Sequence, residues 1–137
     1  MSNGLLKLIA AILIASALFS CAKGDDPTKI KQSLEVAALS VQDITQYDFG
    51  PVLLEGTLNK TFTLVNTGRI AATNITGQFA VSAFNFKGGS FPGTGGSCSS
   101  TIAAGTACTI VVSFLPTYCS SFRDNLALTY FDGRVVP

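Results

Sequence analysis

The sequence predicts an all-β protein, a single antiparallel β-sandwich of about seven strands preceded by a signal helix and a tether. Three observations point there. From residue 46 onward, short runs alternate apolar and polar residues with a period of two and are broken by Gly, Asn or Pro about every ten residues. No segment after residue 42 carries a long 3.6-residue period, which excludes parallel α/β folds. Setting residues 1–20 aside leaves 117 of the 137 residues, a length for one domain rather than two.

The N-terminus carries Lys7 and no acidic residue before Asp25, and residues 8–19 are apolar except for Ser16. Such a run matches the hydrophobic region of an export signal and falls short of the roughly 20 residues that span a bilayer as a helix. Leu18-Phe19-Ser20-Cys21 follows directly. This stretch resembles the bacterial lipobox, with Phe19 an uncommon choice at its site. The resemblance implies diacylglyceryl transfer to the Cys21 thiol, cleavage between Ser20 and Cys21, and acylation of the new amino terminus by chains of the palmitate class. Two or more chains hold a protein on a membrane stably, where one alone does not. Ala22 rather than aspartate after the lipidated cysteine favours the outer over the inner membrane of the cell envelope.

Residues 21–44 read as a lipid-anchored tether. Lys23, Asp25, Asp26, Pro27, Lys29 and Lys31 make its first half charged and turn-prone. Residues 32–39 admit a helical reading with Leu34, Ala38 and Val41 on one side, but a flexible spacer is the expectation. The sandwich occupies residues 45–137. In its first clear strand, residues 57–65, Leu58, Phe62 and Leu64 alternate with threonines and Val65, and Asn66-Thr67-Gly68 ends the run. Residues 74–79 and 81–86 are two further strands. Residues 109–114 place Ile110, Val112 and Phe114 on one face before Pro116. Residues 125–131 do the same with Leu126, Leu128 and Tyr130, ending at Asp132-Gly133.

Tyr47-Asp48-Phe49-Gly50-Pro51-Val52, Lys60-Thr61-Phe62-Thr63-Leu64-Val65-Asn66-Thr67-Gly68, Gly95-Gly96-Ser97-Cys98, Ala103-Ala104-Gly105-Thr106-Ala107-Cys108 and Val112-Ser113-Phe114-Leu115-Pro116 occur in that order. The series resembles the immunoglobulin-like domains of the ASPM/SPD-2/Hydin (choice-of-anchor D) type over residues 45–133. It implies a seven-stranded immunoglobulin-like sandwich serving as a binding or spacer module, without catalytic residues to carry over. Family members continue past the position of Asp132-Gly133 into a last strand. Here residues 134–137 are either a stub of that strand or the end of an incomplete copy, and a missing strand would leave its neighbour an open edge. The resemblance also implies a Cys98–Cys108 disulfide pinning the glycine-rich stretch from Gly88 to Gly96, although pairing of Cys119 with either partner stays open. Cys119 is the odd cysteine: an intermolecular or reactive thiol on one reading, and on the preferred one a buried free thiol packing as a small hydrophobe.

Chemistry-bearing patterns are sparse. There is no histidine, hence no usual general base, triad partner or zinc ligand, and the cysteines form no C-x-x-C pair. Asp25, Asp26, Asp43, Asp48, Asp124 and Asp132 read as solvated residues of tether and turns. The glycines at 88–96 lack the following Lys and helix of a phosphate loop. Lys7 is the only charge in residues 1–20, so eight basic and eight acidic residues remain beyond it, and that balance argues against nucleic acid as a partner. Phe84, Phe86 and Phe91 read as core aromatics and a loop anchor rather than a binding patch. The expectation is a non-enzymatic interaction or structural module, with no catalytic site, metal, cofactor or small-molecule substrate. Its expected partners are the membrane, through the acyl chains, and an envelope protein. The alternative is a carbohydrate or cell-wall binding module, for which Tyr47, Tyr118 and Tyr130 are the candidate stacking residues in a chain without Trp.

Overall fold

A computed structural model describes residues 2–8, 35–42 and 46–134. Ser20, Cys21, the charged half of the tether, Asp43 and the last three residues lie outside the described residues. The described residues form eight strands: β1 (Ser2–Leu8), β2 (Leu39–Val41), β3 (Gln46–Val52), β4 (Leu58–Asn66), β5 (Thr73–Gln78), β6 (Phe84–Phe86), β7 (Ala107–Phe114) and β8 (Ser121–Phe131). They form two four-stranded sheets, β3-β1-β8-β5 and β2-β4-β7-β6. Every pairing is antiparallel except that of β1 with β8. The protein is therefore an all-β sandwich, and no helix occurs among the described residues.

The two-residue period places the core. On β7, Ile110, Val112 and Phe114 are fully buried, and on β4 Phe62 and Leu64 face them across the eight-pair ladder from Leu58↔Phe114 to Val65↔Ala107. Phe122, Leu126 and Leu128 of β8, Ile75 of β5 and Phe84 and Phe86 of β6 close the interior. Aromatic rings link the two sheets. Phe114 stacks on Phe84 at 4.8 Å between centroids and meets Phe49 at 5.5 Å and Phe122 at 5.7 Å.

β3 departs from simple alternation, since its buried residues are Phe49 and Val52, three apart. A bulge reconciles them. Gly4 pairs with Gly50 and Leu5 with Asp48, so Phe49 is the extra residue. Gly50 takes the left-handed conformation (φ 68°), and its N–H donates to Asp48 Oδ1 at 2.7 Å. Asp48 and Gly50 thus turn the strand so that both apolar side chains reach the core.

Two sequence expectations need correction. Residues 35–41 are neither helix nor tether: Ala37 and Leu39 are buried, and β2 pairs with β4 from Leu39↔Asn66 to Val41↔Leu64. The sandwich thus begins about ten residues before residue 45, because a three-residue strand is too short to show a period and its burial is supplied by a distant partner. The strand expected over 81–86 shrinks to Phe84–Phe86, since residues 80–83 turn, with Phe84 N–H donating to Val81 O at 3.0 Å.

The Cys98–Cys108 disulfide is formed, closing a loop with a sequence separation of 10. It shares its task with the backbone, because Ser97 and Cys98 both donate to Thr109 O, Thr94 donates to Lys87 O and Val111 donates to Pro92 O. Closing so short a loop stabilises by about 2–3 kcal/mol through loss of unfolded-state entropy. A Cys98→Ser/Cys108→Ser variant is therefore expected to remain folded with a lower urea midpoint. An unchanged midpoint would assign the pinning to the backbone bonds alone.

Candidate interaction surface

The strands run between two ends of unlike chemistry. At one end the chain enters the domain: Ala37 N–H donates to Asp132 O, Thr67 to Ala38 O, and Arg69 to Val36 O. Asn66 is the knot of this end. It is fully buried, its Nδ2 donates to Ile70 O (2.8 Å) and Ile102 O (3.0 Å), and its Oδ1 accepts from Ala38 N (3.1 Å) and Gly68 N (3.0 Å). Gly68 is required beside it, since a Cβ there would run into Val36 O and the backbone of Ala37 and Ala38.

The opposite end is apolar and exposed. Leu53 and Leu54 sit in the turn between β3 and β4, Leu58 starts β4, and Leu115 and Tyr118 flank the buried Pro116 after β7. The two turns are joined by Glu55 N–H donating to Pro116 O at 3.0 Å. Exposure runs from 41% at Leu115 to 69% at Leu53, which puts these residues among the most exposed large hydrophobics of the described chain. Scattered single apolar residues on a surface are ordinary, but several gathered on adjoining turns mark a surface suited to contact.

Cys119 lies in the bend of residues 117–120 and is a free, exposed thiol. The expectation of a buried cysteine is thereby overturned. Pro116 is the last buried residue of this connection, and the chain loops outward beyond it before Phe122 re-enters the core.

The tyrosines separate by environment. Tyr47 packs edge-on against Phe49 and Phe62 with Lys60 Nζ 4.7 Å from its ring centre. The Tyr130 hydroxyl accepts from Leu39 N–H at 3.3 Å. Tyr118 leans on Phe122 at 4.9 Å between ring centroids and is still 59% exposed. Phe84 and Phe86 are core residues, and Phe91 is partly buried edge-on against Phe86 at 5.4 Å. A hollow of about 440 Å³ opens beside them, between the end of β5 and the glycine-rich loop.

Among the carboxylates, Asp124 is not a solvated turn residue. It occupies an inward position of β8 between Phe122 and Leu126, is 7% exposed, and accepts from Val81 N–H and Asn125 N–H, both at 2.7 Å. The expected strand began at Asn125, one residue too late to show that Asp124 shares the inward row. Asp132 accepts from Arg134 N–H and pairs with its guanidinium at 3.5 Å. Asp48 is spent on the β3 bulge. No group of three or more His, Cys, Asp or Glu able to hold a metal ion occurs among the described residues.

Neither family models, nor curated proteins, nor solved structures provide a match to this chain.

Proposed function

We propose that this chain is a lipid-anchored protein of the bacterial cell envelope, cut before Cys21, whose β-sandwich is a non-catalytic interaction or structural module. The apolar end formed by Leu53, Leu54, Leu58, Leu115 and Tyr118 carries the interaction reading, because it lies opposite the end where the tether joins. Acyl chains on Cys21 would place that tether end toward the membrane and present the apolar end outward. The anchor itself is supported by the apolar run at residues 8–19 leading into Leu18-Phe19-Ser20-Cys21. Carbohydrate binding is less well supported, since all three tyrosines make internal contacts and only Tyr118 is largely exposed.

The test is the intact mass of detergent-extracted protein, combined with thiol labelling before and after reduction. The expected result is residues 21–137 plus acyl chains, with Cys119 alone labelled before reduction and Cys98 and Cys108 joining it afterwards. A mass without acyl chains, or one beginning elsewhere than Cys21, would remove the anchor. A photoreactive residue at position 54 is expected to give a discrete adduct in cells, and its absence would leave the module as a spacer.

A further inference from the structure

Two sheet edges, β5 and β6, adjoin on one side of the sandwich, and they are finished differently. β6 spends its outward backbone groups close by. Phe84 N–H donates to Val81 O (3.0 Å), Phe86 N–H to Asn85 Oδ1 (2.9 Å), and Gly89 N–H to Phe86 O (2.8 Å). An edge closed in this way is a poor template for another strand. β5 is covered over its first half only. Ala72 and Ile102 exchange both backbone bonds at 2.9 Å, Ile75 N–H donates to Ser100 O at 3.1 Å, and the Ile102 side chain is buried. On the far side of Ser100 the covering chain belongs to the other sheet. There Cys98 N–H donates to Thr109 O, and the Cys98–Cys108 disulfide ties it to β7.

Backbone groups alternate between the two sides of a strand. Ile75 turns outward to Ser100, Thr76 and Gln78 face Thr129 and Ala127 of β8, and Gly77 turns outward again with Phe79 next in its row. Neither Gly77 nor Phe79 has a backbone partner on that side among the described residues. This vacant stretch opens onto the hollow of about 440 Å³, a size ordinary for a binding site. Its floor is aromatic, with Phe86 at 5.1 Å from Phe79 and 5.4 Å from Phe91 between ring centroids. Phe86 comes up directly beneath the edge, where a Cβ on Gly77 would meet its Cζ at 2.6 Å. The rim carries Gln78, Ser82, Asn85 and Ser90, and no charged side chain lines the hollow.

We propose that the outer edge of β5 at residues 77–79, together with this hollow, binds an extended, uncharged peptide segment of a partner protein. The guest pairs with the Gly77 backbone and seats one bulky apolar side chain on Phe79, Phe86 and Phe91. Residues 100–102 show the mode within the molecule itself, since they lie antiparallel on the first half of the same edge and bury Ile102. A guest continues that lane where the chain's own segment leaves it. Its residue opposite Gly77 sends a side chain to the face that the glycine leaves bare, toward Phe86. A charged side chain there would lose water without gaining a partner, which sets the guest's neutrality. Main-chain bonds supply the affinity of such a contact and the hollow its selectivity. The site is separate from the apolar end and from Cys21, so it goes beyond the reading above and does not depend on the anchor.

The probe is a fluorescent, end-blocked peptide of sequence Thr-Val-Thr-Phe-Thr-Val-Thr, titrated into the purified full-length protein up to millimolar concentration. Saturable binding is expected, with new amide-exchange protection at Gly77 and Phe79. Ala72 and Ile75 should gain none, since their amides are already bonded. Methylating the backbone nitrogen of the central phenylalanine removes one donor to the edge and should weaken binding about tenfold. Aspartate in place of that phenylalanine should weaken it by at least as much. Ser90→Glu, on the exposed rim, should weaken binding of the parent peptide about fivefold and leave the urea midpoint unchanged, which separates the site from the fold. A methylated peptide that binds as well as its parent would overturn the proposal. So would binding without added protection at Gly77 and Phe79, or no saturable binding at all. The photoreactive residue at position 54 reports on the apolar end alone, so the two readings stand or fall separately.

Discussion

Phe114→Ala is expected to lower the unfolding free energy by about 3–5 kcal/mol, the range for truncating a fully buried aromatic residue. Phe114 has no exposed surface and stacks on Phe84 from its own sheet while touching Phe49 and Phe122 of the other, so its loss opens a cavity at the junction of both layers. The surrounding rings are held on strands and can collapse into the space only in part. For a domain whose total stability is on the order of 5–15 kcal/mol, this is a large fraction. Urea unfolding followed by circular dichroism measures it. Phe114→Leu, which keeps most of the volume, should recover much of the loss. A Phe114→Ala midpoint within error of the parent would mean that the rings are not packed as described.

Asn66→Ala is expected to cost about 2–4 kcal/mol by a different route. Three backbone groups lose this partner without another in place, the N–H of Ala38 and Gly68 and the carbonyl of Ile70, while the Ile102 carbonyl keeps only the N–H of Ala72. A buried group left without a partner costs about 1–3 kcal/mol, and those nearer the surface cost less because water reaches them. Asn66→Asp should not rescue the loss, since it retains the acceptor but replaces the two donors with an oxygen facing two carbonyls. Hydrogen exchange gives the discriminating readout, as the amides of Ala38 and Gly68 should lose protection more than those of Ile110 and Val112. Equal loss across these amides would indicate general destabilisation rather than a broken knot.

The strands whose partners lie on one face at regular spacing were legible from the residues alone. Leu126 and Leu128 alternate cleanly because one side of β8 meets the core and the other is more open, and Ile110, Val112 and Phe114 share the inward row of β7 although Val111 on its other side is buried as well. Asn66 showed itself only as part of a turn signal, since an asparagine after a strand is ordinary and nothing local reveals that its amide reaches Ile102, 36 residues away. Asp124 was misread for a related reason. A carboxylate beside an asparagine looks like turn chemistry, and its burial depends on Val81 arriving from another element.

The sequence by itself determined the all-β class, the run of β4, β5, β7 and most of β8, and the inward place of Phe62, Phe84, Phe86 and Phe114, while Phe49 and Phe122 joined the aromatic core only through the fold. The resemblance in its motifs suggested which two cysteines pair, and their proximity is realised only in the folded domain. Tertiary structure alone decided the rest. It drew Leu39–Val41 into a sheet, pushed Cys119 outward, gathered leucines from separate turns at one end, and set Ser2–Leu8 between β3 and β8. Each of these depends on which distant segment supplies the hydrogen bonds or the covering surface, and that information is spread over the whole chain rather than written at the residue concerned.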